Sequence, residues 1–283
     1  MPLYDVLVAA LFGVVEGITE WLPISSTGHM ILLGEFIDFS LSPAFSSMFL
    51  IVVQLGAILA VVVLYWRRLV PLVWEHPSGT GRRASIRIDR RGVVLWAKIV
   101  VATIPAAIVG VLWDDAIDAI FYNPWTVATA LIVFGVAFLL VERAWHDRSP
   151  KVTTLDDITF GQALVVGLFQ LVAAVFPGTS RSGATILGGF MLGLSRAVAA
   201  EFTFLLAVPT MLGASLLKVG DFGLTFTPVE AMALATGMVV AFLVSLASIR
   251  FLVGYIKTHD FTVFGWYRIV LGAAVLLYFV LAR

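Results

Sequence analysis

Six apolar runs, at residues 45–66, 93–112, 124–141, 197–217, 229–249 and 264–281, decide what this chain can fold into. Each is roughly twenty residues, the length an α-helix needs to cross the hydrocarbon of a bilayer. They are continuous rather than alternating, so they read as helices and not as barrel strands. A soluble domain is about half apolar and a quarter charged, whereas here 60% of residues are hydrophobic and 13% charged. No core of its own can hide that much apolar surface. The chain therefore reads as an all-α polytopic membrane protein of one integral membrane domain, residues 1–283. A net charge of zero gives no ground for a nucleic-acid partner. The absence of cysteine excludes disulfides and thiol chemistry. No Lys or Arg precedes the first apolar residues, so no cleaved signal peptide is expected.

Two polar stretches interrupt this apolar background. One is EGITEWLPISSTGH at 16–29, the other QLVAAVFPGTSRSGAT at 170–185. The positive-inside rule puts the loop 67–91, with Arg67, Arg68, Arg82, Arg83, Arg87, Arg90 and Arg91, in the cytoplasm. The acidic turn of Asp114, Asp115 and Asp118 is then external, and the linker 142–157 and loop 250–260 are cytoplasmic. That count works only if each polar stretch enters and leaves on one side. The apolar arms around them are short, seven to twelve residues, or roughly half a bilayer. Both stretches are thus expected to be re-entrant hairpins. Irregular backbone at that depth is tolerated only inside protein or beside a wet cavity.

The halves align. Placing Gly13 over Gly167, a shift of 154 positions (167 − 13), sets Glu16 on Gln170, Pro23 on Pro177, Ser25 on Thr179 and Ser26 on Ser180. Ala174 then lies over Glu20, and Arg181 over Thr27. Each half holds one hairpin and three spans. An odd number of spans flips the second copy, so an inverted-topology repeat is expected, residues 1–150 and 151–283.

The residue types in the two stretches point to anion chemistry. Glu16 and Glu20 are four apart and share one helix face. Intramembrane carboxylates mark a functional site; this pair can hold a divalent cation, or one member can serve as acid or base. A structural pair with a buried Arg is the plainer alternative. Pro23 ends the first arm, and Ser25, Ser26 and Thr27 stand where an N-cap belongs, with His29 one turn on. One hydroxyl is expected to cap; three exceed that need. The free N–H groups of a helix N-terminus suit an anion. In the second stretch Pro177 and Gly178 break the helix, Thr179, Ser180 and Ser182 offer hydroxyls, and Arg181 adds a cation. Together these could stabilise a phosphoryl group in flight. Ser26 is a candidate nucleophile with His29 or Glu20 as base; His29 itself, or a metal-bound water, is the alternative attacker. No P-loop, zinc spacing or nucleophile elbow is present.

The combination of Glu16/Glu20 in E-x-x-x-E and Pro177, Gly178, Ser180, Arg181, Ser182 and Thr185 in P-G-x-S-R-S-x-x-T closely resembles the bacterial undecaprenyl-diphosphate phosphatase family, the bacitracin-resistance proteins. The resemblance extends through the spans, as in VVQLGAILAVVVLYWRR. It implies a hydrolase that removes the terminal phosphate of undecaprenyl diphosphate, recycling the lipid carrier for cell-wall synthesis. It implies the bacterial cytoplasmic membrane, a site facing outward, and Mg²⁺ or Ca²⁺, with Glu16 and Glu20 as metal ligands. Ser26, His29, Glu20 and Arg181 take catalytic roles. Ser25, Thr27, Gly178, Thr179, Ser180, Arg181, Ser182 and Thr185 bind the diphosphate. The partners are the polyprenyl lipid and the bilayer; monomer and homodimer both stay open. The alternative function is a transporter or flippase for a phosphorylated polyprenyl lipid, since inverted repeats with broken helices are a transporter design.

Overall fold

The computed structural model describes residues 2–75 and 85–281, and the fold is mostly helical. Arg82 and Arg83 of the basic loop lie outside the described residues. The chain opens with helix α1 (Pro2–Thr19), a turn at 20–25 and the short α2 (Ser26–Gly34). Then follow α3 (Pro43–Val52), α4 (Gln54–Leu64) and the single turn α5 (Trp66–Leu69). A hairpin of β1 (Leu72–Glu75) and β2 (Ser85–Ile88) leads to α6 (Arg90–Phe121) and α7 (Pro124–Trp145). The second half runs α8 (Phe160–Val175), α9 (Arg181–Met191), α10 (Arg196–Phe222), α11 (Pro228–Tyr255) and α12 (Thr262–Leu281).

Six helices are long and apolar enough to cross a membrane, and they coincide with the six runs. The first is α3 and α4 together, interrupted at Val53. Their outward faces carry Leu59, Val111, Leu140, Leu216, Val239 and Leu277, all exposed, which is the surface that lipid covers.

Three features differ from the expectations. The acidic turn does not exist as a turn. Nothing in 113–121 breaks a helix, so α6 continues to Phe121, and the stop comes at Asn123, which caps α7 ahead of Pro124. Asp114 on α6 instead pairs with Lys218 on α10 at 2.9 Å. Within the basic loop, Leu72 pairs with Ile88 and Val73 with Arg87 in an antiparallel ribbon, so the fold is not wholly helical. Finally, the helices that lead into the two polar stretches are not short. α1 has 18 residues and α8 has 16, because the helical pattern runs on through Glu16 and Gln170; α2 with 9 and α9 with 11 do match half a bilayer.

The helices pack in exchanged pairs. α1 lies along α11 and α8 along α6; α4 meets α11 and α6 meets α10; α7 lies along α12. Small residues let these backbones approach. A methyl added at Gly56 would overlap the Met238 carbonyl across the α4–α11 contact, and one at Gly167 would overlap the Ala102 carbonyl across α8–α6. Buried charge elsewhere is fully partnered: Glu142 accepts from Arg196 Nε (3.0 Å) and from the Phe261 N–H (3.0 Å), and Lys98 donates to the Asp156 carbonyl (2.8 Å).

Because α4 and α11 touch through backbone at Gly56, Gly56→Leu is expected to destabilise the fold by about 1–3 kcal/mol or more through overpacking. Thermal unfolding of the detergent-solubilised protein should show a clearly lowered midpoint. An unchanged midpoint would mean that this contact is not tight.

Candidate active site

The two helix breaks are built alike. Ser25 and Ser180 are the only non-glycine residues with positive φ among the described residues, at 74° and 70°. Each is the N-cap of a short arm. Ser25 Oγ accepts the Gly28 N–H (3.2 Å), and Ser180 Oγ accepts the Gly183 N–H (3.1 Å). A serine held in the left-handed region costs of order 1–3 kcal/mol, and such outliers cluster at functional sites. The caps also correct the alignment. Ser25 and Ser180 are equivalent, so Arg181 occupies the position of Ser26 and not that of Thr27.

Arg268 of α12 ties the breaks together. Its Nη1 donates to the Pro23 carbonyl (3.1 Å), and its Nη2 donates to the carbonyls of Gly178 (3.0 Å) and Thr179 (2.6 Å). The side chain is completely buried. A broken helix leaves carbonyls without partners, and inside a membrane no water can serve them. One guanidinium does so for both breaks at once.

This clamp sets the polar side chains face to face. Arg181, at the start of α9, reaches Glu20 of the first loop: Nη2 to Oε1 at 2.7 Å and Nε to Oε1 at 3.3 Å. Its Nη1 donates to the Thr203 carbonyl (3.2 Å). Ser26 Oγ donates to the other oxygen of Glu20, Oε2, at 2.5 Å. Ser182 Oγ donates to the Glu20 carbonyl (2.9 Å) and lies 3.2 Å from Ser180 Oγ. Thr185 Oγ1 donates to the Arg181 carbonyl (2.9 Å) and accepts from Thr203 Oγ1 (2.9 Å), which steadies the arm that carries Arg181.

Glu16 is wholly buried, and neither of its carboxylate oxygens has a hydrogen-bond partner. An isolated carboxylate in such a place needs a proton or a cation. The Thr179 hydroxyl is likewise buried and unpartnered, while Thr27 is half-buried. His29 is not joined to Ser26. Its Nδ1 lies 2.7 Å from the Ser25 carbonyl and so carries the proton; its Nε2, 2.6 Å from the Tyr267 hydroxyl, is then the acceptor. The two rings stack at 5.6 Å. Beside them opens an apolar cavity of about 420 Å³, lined by Val15, Ile18, Leu22 and Phe264.

The structure thus brings Glu20, Ser26, Arg181 and Ser182 into direct contact and leaves His29 at the edge. Three contributors lie outside the motifs. Arg268 has a sequence signal of its own, a lone charge in the run 264–281. Tyr267 and Thr203 have none, since a Tyr or a Thr in an apolar helix is ordinary.

Known proteins resemble this chain over nearly its whole length. Residues 9–274 match the family described as bacitracin resistance protein BacA. The chain is 55% identical over 279 residues to an undecaprenyl-diphosphatase of Desulfitobacterium hafniense, covering 99% of this chain and 98% of that one. It is 52% identical to undecaprenyl-diphosphatase 1 of Clostridium acetobutylicum, covering 98% of both. It is 52% identical to an undecaprenyl-diphosphatase of Enterococcus faecalis, covering 96% of both.

Arg268→Met would leave three buried carbonyls without a donor. It is expected to cost about 3–5 kcal/mol, read as a lowered unfolding midpoint in detergent. Arg268→Lys, a single point donor, should recover only part of that loss. If Arg268→Met melted with the parent, the clamp would have no structural weight.

Proposed function

Because the chain belongs to the BacA family of bacitracin-resistance proteins, we infer that it hydrolyses undecaprenyl diphosphate to undecaprenyl phosphate and inorganic phosphate, using the two facing loops as its active site. It is a multi-pass membrane phosphatase, and this hydrolysis recycles the lipid carrier of cell-wall synthesis. The observation that carries the site assignment is Glu20 held between Ser26 and Arg181.

In the resting site Arg181 neutralises Glu20. An incoming diphosphate is a better partner for a guanidinium than one carboxylate, because it offers paired oxygens and more charge. Arg181 swings to the terminal phosphate, and Glu20, freed of its cation, becomes the stronger base. Ser26 Oγ attacks the terminal phosphorus and its proton passes to Glu20 Oε2. The bond from that phosphorus to the bridging oxygen breaks, and undecaprenyl phosphate leaves with the bond's electrons. Water then attacks the phosphoserine, giving one proton to His29 Nε2, and the bond from phosphorus to Ser26 Oγ breaks, releasing inorganic phosphate while Ser26 Oγ regains its proton from Glu20. The hydroxyls of Thr179, Ser180 and Ser182, the arm held by Thr185 and the N–H groups of Thr27 and Gly178 surround the phosphates. Ser25 serves this arrangement as the cap. His29, whose ring is oriented by Ser25 and Tyr267, presents Nε2 as the base for that water once the Tyr267 hydroxyl gives way. The geometry favours Ser26 over His29 as nucleophile because Ser26 alone has a base in contact.

The residues fit a divalent cation. Glu16 presents two buried, unpartnered oxygens one turn from Glu20. Among the described residues no group of three or more His, Cys, Asp or Glu surrounds them, so phosphate oxygens and water would complete the shell, as Mg²⁺ accepts. Glu16 and Glu20 would hold Mg²⁺ or Ca²⁺, and the ion would offset charge on the diphosphate when bound.

The apolar cavity beside His29 suits the first isoprene units, the remaining tail staying in lipid. The exchanged helix pairs support the inverted repeat: α1 with α11 mirrors α8 with α6, and α4 with α11 mirrors α6 with α10. The matching caps of α2 and α9 support two re-entrant hairpins. This symmetry also favours the second reading, lipid translocation by rocking of one repeat against the other. Arg91 lies near Asp156 and Arg68 near Glu201, so the basic loop and the linker share one face. That supports their cytoplasmic placement in the bacterial cytoplasmic membrane, with the site turned outward.

Phosphate release from undecaprenyl diphosphate by purified protein tests the mechanism. Ser26→Ala should lower the rate at least about a thousandfold, with modest change in KM. Full turnover by that variant would sink Ser26 as nucleophile. Glu16→Gln should raise the Mg²⁺ concentration for half-maximal rate roughly tenfold or more; an unchanged metal titration would remove Glu16 from the metal site.

A further inference from the structure

At the end of α9 remote from Arg181 lies a polar feature that the phosphatase reading does not use. A cavity of about 340 Å³ opens between the end of α7, the linker at 148–151 and the end of α9. Arg148 and Lys151 line one side, Trp145 stands at the rim, and Phe190, Met191 and Leu194 form an apolar floor.

Its frame is built by backbone hydrogen bonds. The N–H groups of Lys151 (2.8 Å) and Val152 (3.1 Å) both donate to the Gly193 carbonyl, and the Ser195 N–H donates to the Val152 carbonyl (2.9 Å). Gly193 makes this turn at φ 86°, which a larger residue would resist. The Arg148 guanidinium lies 4.5 Å over the Trp145 ring, which holds it at the rim. Neither Arg148 nor Lys151 makes an ion pair among the described residues. The neighbouring acids are taken: Glu142 by Arg196, and Asp147 by His146.

Two unpaired cations above an apolar floor match a molecule with a phosphate at one end and hydrocarbon at the other. The height is right, because the α7 span ends at Trp145, where the headgroup region begins and where Trp is favoured. A free phosphate would make no use of the apolar side of the cavity, where Met191 stays exposed. We propose that this cavity binds the headgroup of an anionic phospholipid, its phosphodiester between Arg148 and Lys151 and its first acyl carbons against Phe190 and Met191.

The test is lipid retention by the full chain purified in detergent from vesicles of phosphatidylcholine and phosphatidylglycerol, with bound lipid counted by mass spectrometry. It needs no turnover, so its failure is separate from any failure of the phosphatase reading. The Arg148→Gln/Lys151→Gln protein should retain roughly tenfold less phosphatidylglycerol than the parent. Arg143→Gln, which removes a charge from the same helix end outside the cavity, should retain as much as the parent. Equal retention by the double variant would overturn the site. So would an equal loss in Arg143→Gln, which would mean general surface attraction, or full displacement by millimolar inorganic phosphate, which would mean a free-anion site. A second measurement covers a double variant that folds poorly. Phosphatidylglycerol brominated on its acyl chains should quench the emission that Trp145→Phe removes, and brominated phosphatidylcholine should quench it much less. Equal quenching by both lipids would also overturn the proposal.

Discussion

A helix that breaks inside a protein leaves buried carbonyls that need a donor, and this protein buries two such breaks. The remedy is Arg268, which donates to Pro23 in one break and to Gly178 and Thr179 in the other. Buried arginine is itself costly, so the arrangement holds only while all three carbonyls are in place. The clamp, the strained caps at Ser25 and Ser180 and the facing of the two loops therefore depend on one another. Removing any one of them leaves a charge or a carbonyl without a partner in a place that tolerates neither.

On this scaffold the two breaks share one cap geometry and carry different side chains. The position after each cap is Ser26 in the first loop and Arg181 in the second, and both converge on Glu20. A hydroxyl and a guanidinium thus stand at matching places after the two caps and share one carboxylate. Glu16 and Gln170 differ in a similar way: neither carboxylate oxygen of Glu16 has a partner, whereas the Gln170 Oε1 accepts from Thr210 at 3.4 Å.

Much of this was legible in the chain. Six apolar runs gave six spans, because span length is set by bilayer thickness and needs no tertiary information. The two loops stood out because carboxylates and Arg are expensive in hydrocarbon. A pair of Glu16 and Glu20 with a buried Arg is the plainer alternative on the same cost, and it holds for Glu20 alone. Other features were hidden for physical reasons. The equivalence of Arg181 with Ser26 depends on where the helix resumes, a backbone property that a shift read from Gly13 and Gly167 misplaces by one residue. His29 stood near Ser26 in sequence, yet its ring turns to Tyr267, a residue 238 positions away. The β1–β2 ribbon replaces an expected loop because Leu72, Val73, Ile86 and Ile88 suit a strand better than a coil. The long α1 and α8 arms escaped notice because polar residues marked the loops as starting before the helices end.

The central claim is that the two loops form one site, joined through Glu20 and Arg181. A double-mutant cycle of Glu20→Gln and Arg181→Gln, read as kcat for undecaprenyl diphosphate, tests it most directly. If the residues act as a unit, the double variant should be scarcely slower than the worse single variant. If the two losses instead multiply in full, Glu20 and Arg181 work independently and the one-site account is wrong.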